Sequence, residues 1–307
     1  MKTSGRKSTS SSPGWVTAQL SNALRSYVPQ SLVVYASFVE LFAFPDALSG
    51  VKPVMSRVLT FASVVAGGTL ILALVGACTS TRDWRSASSE PVGLAPDPIS
   101  EREALVQVYA ARTWGWRGLF GVHTWIAVKP TNASAYKVYE AIGWRLRSGR
   151  SVVTVSERHP DARWFGSVPE LIADKRGTGV DAIIERIDKA AAGYPYTDSY
   201  TAWPGPNSNT FTAWVLRAVP ELRADLPPTA IGKDYLGEDI VSSAPSGSGH
   251  QFSLLGLLGI AASGVEGLEV NVLGLTFGIN PFDLSLKLPL VGRIGPERQV
   301  DTAVVGL

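Results

Sequence analysis

Gly121-Val122-His123-Thr124-Trp125-Ile126-Ala127-Val128 alternates residue by residue, which is the period of a β-strand. His123, Trp125 and Ala127 share one face, and Val122, Thr124, Ile126 and Val128 share the other. Around this strand lie further β-rich runs: Leu105 to Ala111 before it, then Tyr136 to Leu146 and Ser151 to Ser156, separated by turn-forming Gly, Pro, Asn and Ser. The succession predicts an antiparallel meander. Ser167-Val168-Pro169-Glu170 then has the layout of an N-cap, a first-turn proline and a box-closing carboxylate, and predicts a short helix to about Lys175. Val180, Ile183, Ile184, Ile187 and Ala191 recur at helical spacing, with Glu185 and Lys189 paired on the outer face and Gly193 at the end. An aromatic loop, Tyr194-Pro195-Tyr196 through Tyr200 and Trp203, leads to a helix with Phe211, Trp214, Val215 and Ala218 on one face. Strands followed by helices predict an α+β fold in which an antiparallel sheet packs with helices.

With 307 residues, 45% hydrophobic and 18% charged, the chain can bury one large or two small cores and is neither disordered nor fibrous. Its formal charge of +2 is spread without a basic stripe, so no nucleic-acid partner is expected. One cysteine excludes an internal disulfide framework, and three histidines, His123, His159 and His250, leave little for zinc. Neither a metal nor a cofactor is expected.

Val58 to Ala77 is uncharged and about as long as a membrane-spanning helix. It ends in Val75-Gly76-Ala77-Cys78, which resembles the lipobox of bacterial lipoproteins, and it follows Met55-Ser56-Arg57, so residues 55–78 have the layout of a signal peptide. Two readings stay open: a lipidated Cys78, or a plain transmembrane anchor through residues 58–77. In both, Arg6, Lys7, Lys52 and Arg57 keep the preceding side inside, and the body from Thr79 onward faces the periplasm or the cell exterior. A start at Met55 would make residues 1–54 an untranslated extension; if made, they begin as a Ser/Lys-rich, poorly ordered stretch. Residues 79–100 read as a tether and 101–236 as the folded domain. Residues 237–250 form a Ser/Gly/Pro-containing linker, and 251–307 an apolar β-hairpin extension. In that extension Leu268-Glu269-Val270-Asn271-Val272 and Leu284-Ser285-Leu286-Lys287-Leu288 alternate with period two. Such a tail either pads the main sheet or presents an apolar face to a membrane, and padding is the expectation because burial is the commoner use.

The candidate site draws on three segments. Glu140 falls in the row Tyr136, Val138, Glu140, Ile142, Trp144, where a carboxylate needs a partner to offset its desolvation. His123 is one such partner; Arg112, Arg117 and Arg145 are the alternatives. Pro204-Gly205-Pro206-Asn207-Ser208-Asn209-Thr210-Phe211 is a stiff turn into a helix, whose terminus offers backbone N–H groups and a positive dipole end to an oxyanion. Asn207, Ser208 and Asn209 are each suited to cap that helix, and Ser208 also stands where a nucleophile would need a positioned base. Trp125, Trp203, Asn207 and Asn209 are candidate substrate-binding residues. Trp114, Trp116 and Arg163-Trp164-Phe165-Gly166 could line a cleft, although most tryptophans in such a domain serve packing. Gly232-Lys233-Asp234 reads as a solvated charged turn, and Gly247-Ser248-Gly249 as linker rather than a phosphate loop.

A histidine in an early strand, a polar residue in the next and a nucleophile position opening a late helix resembles the circularly permuted NlpC-type branch of papain-like peptidases and amidases, over roughly Leu105 to Leu222. The resemblance implies a papain-like fold with His123 as base, Glu140 as orienting residue and Ser208 as nucleophile. That group uses cysteine where this chain has Ser208. From Trp84 to the C-terminus, including Ala230-Ile231-Gly232-Lys233-Asp234-Tyr235, the chain also resembles a bacterial family of unknown function. Two functions follow as expectations: a membrane-anchored hydrolase or acyltransferase acting on an amide or ester, or a non-catalytic cell-envelope module that binds peptide, glycan or lipid in the same groove.

Overall fold

A computed structural model describes residues 84–296, all within one compact unit of the chain, Thr69–Leu307. The extension 1–54, the apolar run and Cys78 lie outside the described residues. Among those described, no helix is long and apolar enough to cross a membrane.

Two antiparallel sheets carry the architecture. The first contains β1 (Leu105–Arg112), β2 (Val122–Lys129), β3 (Lys137–Ala141), β4 (Val153–Glu157) and β5 (Glu170–Arg176), in the order β4-β3-β2-β1-β5. The short α1 (Arg117–Phe120) joins β1 to β2. The helices α2 (Val180–Ala192) and α3 (Ser208–Ala218) contribute Ile183, Ile187, Phe211 and Val215 to one core with Val106, Val108, Ile126 and Tyr139. On the opposite face Tyr109, Trp125, Ala127 and Val138 form a second, smaller cluster. An α+β fold of an antiparallel sheet packed with helices is what these elements make.

Three local expectations give way. Residues 170–176 are a strand, not a helix: Leu171 pairs with Tyr109 and Ala173 with Val108. Pairing with a central strand, with Ile172 buried against the helices and Leu171 against the opposite cluster, outweighs the local capping signal. β3 stops at Ala141, and Gly143–Ser148 turn into a 3-10 helix closed by Gly149 in the left-handed region. Trp144 therefore leaves the row of Glu140. A Cβ on Gly143 would lie 2.5 Å from the Tyr200 ring, so the bend brings the aromatic loop against this end of the sheet. Residues of the expected tether are also attached: Pro91 bridges to Ala162, and the Leu94 and Ala95 amides donate to Asp161.

The second sheet runs in chain order: β6 (Val241–Ser242), β7 (His250–Leu254), β8 (Leu258–Ser263), β9 (Gly267–Val272), β10 (Leu275–Asn280), β11 (Ser285–Leu288) and β12 (Gly292–Ile294). The hairpin extension does not pad the main sheet. Its inward positions are polar: Gln251, Ser253, Glu269, Asn271 and Lys287 are buried. They bind residues 217–235: Lys287 Nζ lies 2.7 Å from Asp225 and 2.7 Å from Glu269, and Asn271 donates to Asp234. Lys233 is buried against Glu269 and Asp234, so the turn read as solvated is interior. Burial lowers the Lys233 ammonium, but those two carboxylates outweigh it and hold the group charged. Burial also brings Arg217 down to about 10, still charged at neutral pH, where it donates to Gln251 and the Ser243 carbonyl.

Candidate functional site

His123 is the second residue of β2 and points to the face away from the helices, because it shares that face with Trp125. Its Nε2 lies 2.9 Å from Glu140 Oε2, and both side chains are buried. Arg158 reaches the same carboxylate, with Nε 3.3 Å from Oε1, and its guanidinium lies over the Trp125 ring. Of the partners considered for Glu140, the structure supplies His123; the arginine is Arg158 from just beyond β4, rather than Arg112, Arg117 or Arg145. Trp164 stacks on the imidazole at a centroid distance of 3.7 Å. Burial pushes the His123 pKa below its ordinary value, against the pull of Glu140, so the ring is neutral at pH 7. Burial alone would raise Glu140; the hydrogen bond and charge of His123, then Arg158, outweigh it and hold the carboxyl below the usual range. With Nε2 given to Glu140, Nδ1 is the nitrogen left for other work.

Ser208 enters from the helical side. Trp203-Pro204 and Gly205-Pro206 are both cis, and Gly205 has φ 139°, where a Cβ would lie 2.9 Å from Thr210 Oγ1. The turn hands the chain to Asn207, which is the cap: its Oδ1 accepts from the Asn209 and Thr210 amides, and the Thr210 hydroxyl accepts from the Asn207 amide. Ser208 is thereby released from capping. The same bonds use the Asn209 and Thr210 N–H groups, so of the first-turn donors foreseen for an oxyanion these two are taken. Gly232 packs so closely on Asn207 that a Cβ would lie 2.4 Å from Nδ2. Beside Ser208 stands the half-buried Tyr200, whose phenol burial pushes up, partly offset by Ser208.

His123 and Ser208 line one cleft of about 540 Å³, with Trp114, Trp116, Trp144, Trp164, Tyr200 and Trp203 among its other walls. A neighbouring cavity of about 600 Å³ around Arg163 and Ser86 shares Trp114, Trp116 and Phe165 with it. Among the described residues no hydrogen bond joins Ser208 to His123. The strand neighbour Thr124, not His123, faces α3, donating 3.0 Å to Asn209 Oδ1.

The expected substrate contacts divide. Trp203 lines the cleft and is half exposed, its indole N–H donating to the Leu273 carbonyl. Trp125 is fully buried with its N–H on the Pro160 carbonyl, so it supports the wall from behind and does not reach a ligand. Both protons of the Asn207 amide go to the Ala202 and Ile231 carbonyls, and both of the Asn209 amide to Val122 and Ile231. Those amides hold the turn and have no donor left over. Residues that carry the site without having been singled out as site residues are Arg158, Tyr200 and Trp144. No motif marks them; only the folding of β4, the aromatic loop and the 3-10 turn onto one end of the sheet assembles them. Among the described residues no three His, Cys, Asp or Glu side chains converge to hold a metal ion.

The fold and site define an α+β domain with a buried His–Glu pair in an aromatic cleft. A DUF3750 domain, described as a protein of unknown function, is found at residues 103–235. No curated protein and no solved structure matches the chain.

Proposed function

We propose that this domain is a hydrolase or acyltransferase acting on an ester or amide, with a distantly papain-like, permuted arrangement. The observation that carries the reading is the buried His123–Glu140 pair, 2.9 Å apart, in the wall of a cleft that Ser208 also lines. Ser208 Oγ attacks the carbonyl carbon and His123 Nδ1 takes its proton; the proton then passes to the leaving group as the acyl-enzyme forms. Water or an acceptor hydroxyl reverses the sequence. Glu140 orients the ring and stabilises it when charged, and the protonated Tyr200 phenol is a donor beside the reacting oxygen. Membrane anchoring on the extracytoplasmic side, through residues 58–77 or Cys78, is part of the proposal and rests on the uncharged run behind basic residues.

The test is turnover of p-nitrophenyl esters of graded acyl length, with labelling by a fluorophosphonate probe. Turnover and labelling that vanish in Ser208→Ala, with an unchanged melting curve, support it. Absence of both in the unmodified chain leaves the second reading, a non-catalytic envelope module. The missing Ser208–His123 hydrogen bond favours that reading, and for it Ser208→Ala leaves ligand affinity unaltered.

A further inference from the structure

We propose that the outward face of the second sheet is a membrane-contact surface that seats the domain on a lipid bilayer. The inference rests on the anchoring reading above for its choice of occupant, and on the sheet for everything else.

The sheet is amphipathic in the opposite sense to an ordinary one. Its strand register aligns Val241, Phe252, Ile260, Val270 and Phe277 in one outward row, and Ala262, Leu268, Ile279, Leu286 and Ile294 in another, which His250 ends at the β7 edge. The large side chains of both rows are exposed. No Asp, Glu, Lys or Arg occupies an outward strand position of this sheet, while the inward positions hold Glu269, Lys287 and Arg293. A soluble surface rarely shows so continuous an apolar patch unless something covers it.

The hairpin tips indicate what that is. Leu255, Leu273 and Leu284 each have φ 53°, a left-handed conformation that favours Gly, Asn or Asp. They are 57%, 61% and 78% exposed, so no packing within the domain accounts for leucine there. A protein-docking patch is ordinarily closed by a polar rim; here the apolar character runs on into the turns, which suits immersion in an acyl layer. Only residues 78–83 separate the uncharged run Val58–Ala77 from Trp84. Six extended residues reach at most about 20 Å, so an anchored chain keeps this domain at the bilayer surface. Leu273 and Leu275 belong both to this face and to the lining of the cleft that holds His123 and Ser208, so the site opens at the margin of the proposed contact.

The test uses the full chain with both anchors disabled by Leu70→Arg, Leu74→Arg and Cys78→Ser, floated with phosphatidylcholine vesicles and sized by light scattering. The expected result is reversible vesicle binding that falls at least tenfold when Ile260→Glu and Phe277→Glu are added. Ile260→Thr with Phe277→Thr, which keeps strand propensity, serves if the glutamate pair does not fold, and it too lowers binding. No vesicle binding by the anchor-disabled chain, or binding indifferent to both pairs, overturns the proposal. A dimer that the face substitutions dissociate, without vesicle binding, also overturns it and assigns the face to a second copy. The anchoring reading fails separately, when alkaline carbonate extracts the unmodified chain from membranes as readily as the anchor-disabled one.

Discussion

Glu140 is a buried carboxylate on the sheet face that carries Trp125 and Val138, and two side chains, His123 and Arg158, are spent on it. Removing the charge while keeping the shape leaves Arg158 facing a neutral amide. Glu140→Gln is therefore expected to destabilise the domain by about 3 kcal/mol, the usual scale for breaking a buried pair, read as a lower urea midpoint. The two pKa displacements also set a pH dependence. His123 folded lies below its unfolded value of 6.5, and Glu140 folded lies below 4.5. In both cases the unfolded chain binds protons that the folded chain refuses, so both contribute in the same direction. Stability should fall as pH drops through 6.5, and fall again below 4.5. Urea midpoints measured from pH 8 to pH 3 check this, and His123→Gln should remove the first fall and shrink the second, because His123 is the larger part of what holds the Glu140 carboxyl down. At this scale Glu140 was legible as a residue in need of a partner, because a lone carboxylate in an apolar row is conspicuous. Arg158 was not, since nothing in its own neighbourhood says that it lies over Trp125.

The turn into α3 decides whether Ser208 is a cap or a free hydroxyl. Asn207 takes the cap and donates to two carbonyls, so Asn207→Ala removes a helix cap and leaves Ala202 and Ile231 without that donor. A loss of about 1–2 kcal/mol is expected for the cap alone, and any esterase activity should fall with it, because the first turn carries Ser208. Gly232→Ala attacks the same turn from the other side. Its added Cβ meets the Asn207 amide, and φ 95° is one that L-residues avoid. The variant should melt several degrees lower, by circular dichroism, and resemble Asn207→Ala more than an ordinary loop change. Proline, glycine and three small polar residues in series made this turn readable. The strand at 170–176 was not, because its capping signal is local while its pairing partner, β1, lies some sixty residues earlier.

Across the molecule, the second sheet is tied to the first domain by buried charges rather than by apolar packing. Lys287 joins Asp225 to Glu269, and Lys233 joins Glu269 to Asp234. Lys287→Met leaves carboxylates buried without their shared cation and should cost about 3 kcal/mol or more. Limited proteolysis should then cut within 241–294 well before it cuts the first domain. The amino-acid order by itself determined the strands of the opening meander, the helices at 180 and 208, the hairpins of the tail and the suspicion attached to His123, Glu140 and Ser208, because each of these is written in side chains a few residues apart. Which side of the tail faces inward was decided only by the tertiary structure. Alternation says that one face is apolar and the other polar, but the burial of the polar one depends on Asp225, Lys233 and Asp234 waiting for it, and no local pattern records a partner contributed from elsewhere in the chain.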